Sequence, residues 1–505
     1  MKETIAFLLP PALAFSGMRV ARLLLGREIE SRFGIGLRWA LGMGIGMLLF
    51  TQAALLGALA GVNLAGPLAW LALIWGLAEI IIAAPNTMTR LVHLKMQPAH
   101  LWLVILLPLL YFCWVFSRLS TLEGTLEFDA NAFWVFKAKV LYLEQGGNLL
   151  HWMHQTSLAY AHWDYPMLVP CLYLLDYGAV GSVDEFVNKV WPFWMIIALG
   201  IGTLSMAKTW QRPHPLPMLA VVVLCLLPAT LHFVRQEGGT IPLLFFASLT
   251  AMLLVRAITS NDAYPMAAAM LTAVGGAMSK FEGMIYLAIW FCVLLPLCWR
   301  RGWFKNRILW RSAMTCIICV LPYALFRLAK PVEHPESGWW RDGLATPGMT
   351  LYRFPQAWFM NIGGRFFNGN FFHWQSNQGH LQWIGHWNGL GSLANEQLSI
   401  LPWLLLIVIV MSLWQKRSRL ATASLSIVIV GVFTVLALAL SCLPFIQGDL
   451  DQMITYSKGD EVGRYSYPFI IAWFLGIMVA WFDNLDAIPE GTKETNNAEE
   501  KIIPQ

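Results

Sequence analysis

Charge is scarce in this chain. Asp, Glu, Lys and Arg make up 12% of its 505 residues, where an average soluble domain carries roughly 25%. Most of the polypeptide therefore cannot be covered by a solvated surface. No stretch reads as a soluble domain, and no internal repeat is visible. GxxxxGK[ST] and GxGxxG, the glycine-rich loops that cradle nucleotide phosphates, are both missing. An ATP-driven machine is thus excluded unless a partner brings the ATPase. The eight cysteines are scattered, nearly all in apolar runs. Cys316 and Cys319 form a CxxC inside one such run, with no companion Cys or His nearby, and read as small apolar filler.

What fills the chain instead is hydrocarbon. Hydrophobic residues reach 57% and the mean hydropathy is +0.58, which marks a polytopic membrane protein. A spanning helix needs about 20 mostly apolar residues because the hydrocarbon layer is ~30 Å thick. The first run, "IAFLLPPALAFSGM", follows Met1 and Lys2 and resembles a signal peptide. With many similar runs behind it, it is expected to be the first span. Spans are expected near 4–22, 39–62, 66–86, 100–118, 187–207, 216–233, 240–256, 264–280, 283–299, 312–328, 398–414, 420–446 and 466–483. The expected fold class is all-α, with about 13 transmembrane helices. Residues 1–98 carry the N-terminal helices, 99–330 a membrane core with the outer loop 119–186, 331–397 a Trp-rich outer loop, and 398–483 the C-terminal helices. The polar tail 484–505 is expected to be disordered and cytoplasmic.

Basic residues gather in alternate loops: Arg27, Arg32 and Arg38; Arg90 and Lys95; Lys208 and Arg212; "WRRGWFKNR" at 299–307; "QKRSR" at 415–419. The positive-inside rule puts these loops in the cytoplasm. Loops 119–186, 329–397 and 447–465 then face outward. This parity holds only if "YPMLVPCLYLLDYG" (165–178) does not cross. It is short for a span, so it is expected to lie on or dip into the outer interface.

This sidedness gathers acids and bases from five separated segments onto one face. They are Asp129 with Lys137 and Lys139; His162, Asp164 and Tyr165 in "HWDYPMLVP"; Arg235 and Glu237 in "HFVRQEGGT"; Lys280 and Glu282 in "SKFEG"; and Asp460, Glu461, Arg464 and Tyr465 in "KGDEVGRYSYP". Ionisable groups so close to hydrocarbon pair with one another or line a polar cavity. Their agreement in sidedness points to one shared site for an anionic ligand with a reactive end. Each also has a plainer reading. Asp129 can cap a helix, with Phe128 and Phe133 at the staple positions. Lys137 and Lys139 can snorkel to headgroups. Glu237 and Glu282 each sit beside a base and can be simple ion pairs.

In order and sidedness these motifs resemble the GT-C superfamily of membrane glycosyltransferases. The likeness is to bacterial members similar to protein O-mannosyltransferases and to the aminoarabinose transferase of lipid A. The resemblance rests on Asp129 with "FWVFKAKVLY", then "HWDYPMLVP", then "VRQEGG" and "SKFEGMIY", and covers roughly 99–330. Many relatives carry an acid pair in the first loop, whereas here Ala130 and Asn131 follow Asp129. Either the single carboxylate serves or Glu127 substitutes.

The resemblance implies an inverting transfer of a sugar from a polyprenyl-phosphate donor to a glycan, lipid or protein acceptor. The setting would be the bacterial inner (plasma) membrane, with the active site facing the periplasm or outside. The expected partners are that donor, that acceptor and the bilayer, with no nucleic acid. Asp129 is expected to take the acceptor proton, with Glu237 placing the acceptor or an Arg. Lys137, Lys139, Arg235, Lys280 and Arg464 would support the leaving phosphate; Arg grips phosphate bidentately, whereas Lys acts as a point charge. His162, Asp164, Tyr165, Glu282, Trp374 and Tyr465 would contact acceptor or sugar. Some GT-C enzymes use a divalent cation and others do not. No dense carboxylate set is present, so no cofactor is assigned and no metal-site residues are named, with a divalent cation left open. A flippase or transporter of lipid-linked sugars would instead put charged, broken helices at mid-membrane in repeated halves. An O-antigen polymerase or ligase stays open through Arg353, Arg365 and His373.

Overall fold

The computed structural model describes residues 2–93, 130–144, 148–206 and 238–333, and short pieces at 221, 224, 230, 233–234, 373–377, 380–384, 467–469, 471–472 and 474–479. The helices are α1 (Lys2–Leu25), α2 (Ile29–Arg32), α3 (Ile35–Leu59) and α4 (Ala65–His93). A π-helical segment, Ala130–Val135, runs directly into α5 (Phe136–Leu143), followed by α6 (Leu149–Met153), α7 (Leu168–Val180) and α8 (Val190–Met206). Then come α9 (Thr240–Ser260), α10 (Ala263–Ser279), α11 (Phe281–Arg300) and α12 (Arg307–Leu328).

Among the described residues, seven helices are long and apolar enough to cross a membrane by length and composition. These are Lys2–Leu25, Ile35–Leu59, Ala65–Ile82, Glu185–Met206, Thr240–Ser260, Phe281–Arg300 and Arg307–Leu328. They mark the chain as an integral membrane protein of helical type. Helix α10 is shorter, 17 residues or roughly 25 Å, and packs between α9, α11 and α12. The expected spans at 100–118, 398–414 and 420–446 lie outside the described residues, as do most of 216–233 and part of 466–483. The described departure from helix is a two-stranded antiparallel hairpin, β1 (His373–Asn377) with β2 (His380–Ile384), pairing Trp374 with Trp383.

Local chemistry sets the turns. Asn261 closes α9 in the left-handed conformation, and the next residue, Asp262, opens α10 by accepting from the Tyr264 N–H at 3.1 Å. Asn306 opens α12 in the same way through the Ile308 N–H at 3.0 Å. A single extended residue, Lys280, reverses the chain between α10 and α11.

Contacts define two ends of the bundle. At one, Arg22 pairs with Glu30 at 2.9 Å, Arg32 pairs with Asp262, and Arg301 donates to Asn261 at 2.7 Å. The basic loops around 27–38 and 299–307 thus both reach the Asn261–Asp262 turn. At the other end, Lys2 donates to Ser182 at 2.9 Å and Arg327 donates to the Asp164 carbonyl at 3.0 Å. Helix α3 packs against α1, α8, α7, α12 and α10, so the N-terminal helices and the later ones share one core.

Helix α7 corrects one expectation. It does not lie on the surface: Leu168–Leu175 and Tyr177 are all buried, and it packs against α4, α3, α5 and α1. Its end meets the start of α4 so closely that a Cβ at Gly178 would sit 2.5 Å from the Gly66 nitrogen. Its beginning adjoins the 162–165 turn, which α12 holds. Both ends of α7 thus belong to the same end of the bundle, and the parity drawn from the basic loops is kept. The sequence misleads here because a helix apolar on nearly every side reads alike whether lipid or protein surrounds it; its one acid, Asp176, is buried and accepts from the Trp191 indole at 2.6 Å.

Candidate functional site

The site is assembled at the end of the bundle away from the Arg-rich loops. Its floor is the π-helical segment and α5. Trp134, buried, has its indole against Gly238 and Gly239: a Cβ at Gly239 would lie 3.2 Å from that ring, 3.0 Å from the Ser279 carbonyl and 3.4 Å from the Lys280 Cβ. One aromatic ring thus joins the π-helical segment, the start of α9 and the α10–α11 reversal.

Lys137 is wholly buried, and its Nζ donates to the His162 carbonyl at 3.0 Å. The same Nζ lies 5.0 Å from the Trp134 ring centre and 6.0 Å from that of Tyr165, within or at the limit of cation–π range. Burial pushes its ammonium down to about 7, with the Asp164 charge acting the other way. Lys137 does not snorkel to headgroups; it holds a turn.

That turn is His162–Tyr165. His162 adopts a left-handed backbone (φ 49°), a conformation of order 1 kcal/mol above the common regions for a residue with a Cβ. The Tyr165 N–H donates to the His162 carbonyl at 2.9 Å. From α12, the Tyr323 hydroxyl and Arg327 donate to the Asp164 carbonyl at 2.8 and 3.0 Å. The side chains of His162 and Asp164 are both buried, with Nδ1 and Oδ1 3.9 Å apart. The His162 ring lies between Phe133, edge-on at 4.5 Å, and Tyr165 at 4.4 Å. Tyr165 in turn stacks on Phe281, next to Lys280.

Lys280 and Glu282 form an ion pair at 3.0 Å, both nearly buried. Phe281 between them starts α11 and meets Tyr165. A Cβ at Gly283 would fall 2.0 Å from the Gly276 carbonyl, so only glycine lets α11 leave α10 at this angle.

Of the expected site residues, the structure brings Lys137, His162, Asp164, Tyr165, Lys280 and Glu282 into one neighbourhood. Lys139 does not join them. It forms an ion pair with Glu185 before α8, on the far face of α5, because residues two apart on a helix point about 200° apart. Asp129, Arg235, Glu237, Arg464 and Tyr465 lie outside the described residues; Ala130, which follows Asp129, begins the π-helical segment, and Gly238, which follows Glu237, lies against the Trp134 indole. Trp374 is described only through its backbone, in β1. Tyr323 and Arg327 escaped the sequence reading. Their one signal is that Arg327 ends a span on the side where basic residues are sparse. Among the described residues, no group of three or more His, Cys, Asp or Glu could hold a metal ion.

No family model, curated protein or solved structure matches the chain.

Proposed function

We propose that the chain is an inverting membrane glycosyltransferase, moving a sugar from a polyprenyl-phosphate donor to a hydroxyl-bearing acceptor. The reaction takes place at the outer face of the bacterial inner membrane. One observation carries this reading: the segments beginning at Ala130, His162, Gly238 and Lys280 are packed around Trp134 and Tyr165 at the end of the bundle opposite the Arg-rich loops. These are the segments that the resemblance to GT-C enzymes assigns to catalysis.

In the proposed step the acceptor oxygen attacks the anomeric carbon from the face opposite the phosphate. The carbon–oxygen bond to the lipid phosphate breaks, its electron pair leaves on that phosphate, and the acceptor proton passes to Asp129. General-base assistance of this kind is worth ~10²–10⁴-fold. Charge developing on the phosphate is met by Lys280, Arg235 and Arg464. Lys137 contributes its buried charge and the placement of the His162 turn. His162, Asp164 and Tyr165 form the acceptor side.

Reconstituted protein offered a panel of polyprenyl-phosphate sugars, with lipid phosphate release as the readout, tests the reading. Asp129→Asn is expected to abolish release while leaving folding and donor binding intact. Transport of an intact lipid-linked oligosaccharide, with no donor consumed, would replace the transferase by a flippase.

A further inference from the structure

Three donors from two elements converge on the backbone of one four-residue turn. Lys137 of α5 holds the His162 carbonyl, and Tyr323 and Arg327 of α12 both hold the Asp164 carbonyl, across 159 and 163 residues of sequence. Carbonyl oxygens have two lone pairs, and here both oxygens receive two donors: Lys137 and the Tyr165 N–H on His162, Tyr323 and Arg327 on Asp164. A left-handed histidine inside a doubly clamped turn is a local conformation that the surroundings impose.

Arg327 has a second partner. Its other guanidinium nitrogen lies 3.6 Å from Glu333. The segment after α12 is stitched to the first outer loop at two more points: Val332 N–H donates to the Met153 carbonyl at 2.7 Å, and the His154 Nε2 meets the Ala329 carbonyl at 2.6 Å. In sequence, Glu333 leads into the Trp-rich stretch. Arg327 therefore sits between the turn that carries His162 and Asp164 and the start of that stretch.

We propose that Tyr323 and Arg327 are positioning residues that set the His162–Tyr165 turn for the acceptor. Neither touches the reacting atoms. The inference rests on the glycosyl-transfer reading for the identity of the acceptor side, but its geometric half stands without it. A clamp on the backbone fixes where the side chains of His162, Asp164 and Tyr165 point. Losing one neutral hydrogen bond to a carbonyl that keeps its other donor loosens the turn without unfolding the bundle.

The test uses full-length protein in nanodiscs, with Tyr323→Phe, Arg327→Met, Arg327→Lys and Glu333→Gln. Hydrogen exchange at the Tyr165 amide, whose bond to the His162 carbonyl lies inside the turn, is read first. Tyr323→Phe is expected to speed it by roughly three- to ten-fold, the equivalent of one net hydrogen bond, with unchanged exchange in α9 and α10. Turnover of a polyprenyl-phosphate hexose is read second. Acceptor KM is expected to rise and kcat to fall by about the same factor, while the Kd for polyprenyl phosphate alone stays at the wild-type value. Arg327→Lys, which keeps one donor, is expected to rescue part of what Arg327→Met loses. Glu333→Gln is expected to leave the Tyr165 amide protected.

Unchanged exchange in Tyr323→Phe and Arg327→Met would overturn the clamp. Faster exchange with unaltered acceptor KM would overturn the positioning role and leave a merely structural bond. Wild-type protein that consumes no donor would defeat the glycosyl-transfer reading instead, and the exchange measurement would still decide the clamp.

Discussion

The Lys137 amine donates to the carbonyl of His162 at 3.0 Å, with no water-accessible surface on its side chain. Burial there lowers its proton affinity to about 7 from an ordinary 10.5. Between those two values the unfolded chain holds more protons than the native one, so this group's contribution to stability rises with pH across that window and is lost below it. Lys137→Met is expected to remove that slope. Thermal unfolding in detergent should show the variant's relative stability highest near about pH 6 and declining by about pH 9. A difference independent of pH would contradict the burial argument.

The Lys280–Glu282 pair makes a second prediction. Removing one partner of a buried pair leaves the other charge without compensation and costs about 3–5 kcal/mol, whereas removing both is often nearly neutral. Lys280→Met alone is therefore expected to destabilise strongly. The double variant Lys280→Met/Glu282→Gln is expected to recover more than half of that loss. Additive effects in a double-mutant cycle would show that the pair is not coupled.

Two glycines on facing helices should respond differently. An Ala side chain at Gly276 meets nothing closer than 3.5 Å, the Phe246 Cβ, while one at Gly283 would overlap the Gly276 carbonyl at 2.0 Å. Gly276→Ala is expected to be nearly silent. Gly283→Ala should cost about 1–3 kcal/mol through overpacking. It should also weaken polyprenyl-phosphate binding, because the Lys280 reversal moves with α11. Thermal shift with and without that lipid checks both.

Sidedness is the fourth prediction. In a cysteine-free background, single cysteines at Arg27 and Lys305 are expected to react with impermeant maleimide only from the cytoplasmic side. Cysteines at Asp129, Ser182 and Arg464 are expected to react only from outside. Labelling of positions 129 and 464 from opposite sides would remove the shared pocket.

Much of the fold is written in local composition. Apolar runs long enough to cross the hydrocarbon declare themselves one by one, since a membrane helix satisfies its own backbone and needs no distant partner to be recognised. The positive residues that orient them are equally local. That is why 4–22, 240–256 and 312–328 match α1, α9 and α12 to within a turn or so, and why the break between the expected spans 264–280 and 283–299 falls at the Lys280 reversal. Other features depend on which neighbour each surface meets. Only packing decided that Lys137 turns inward to a carbonyl while Lys139 reaches Glu185, although two residues separate them. Only packing buried α7, and only packing brought Tyr323 and Arg327 to the Asp164 carbonyl. By itself the sequence determined the class of protein, most of its described helices and the parity of their ends. The tertiary structure decided which charges face one another, because a hydrogen bond spanning 163 residues leaves no trace in the composition around either partner.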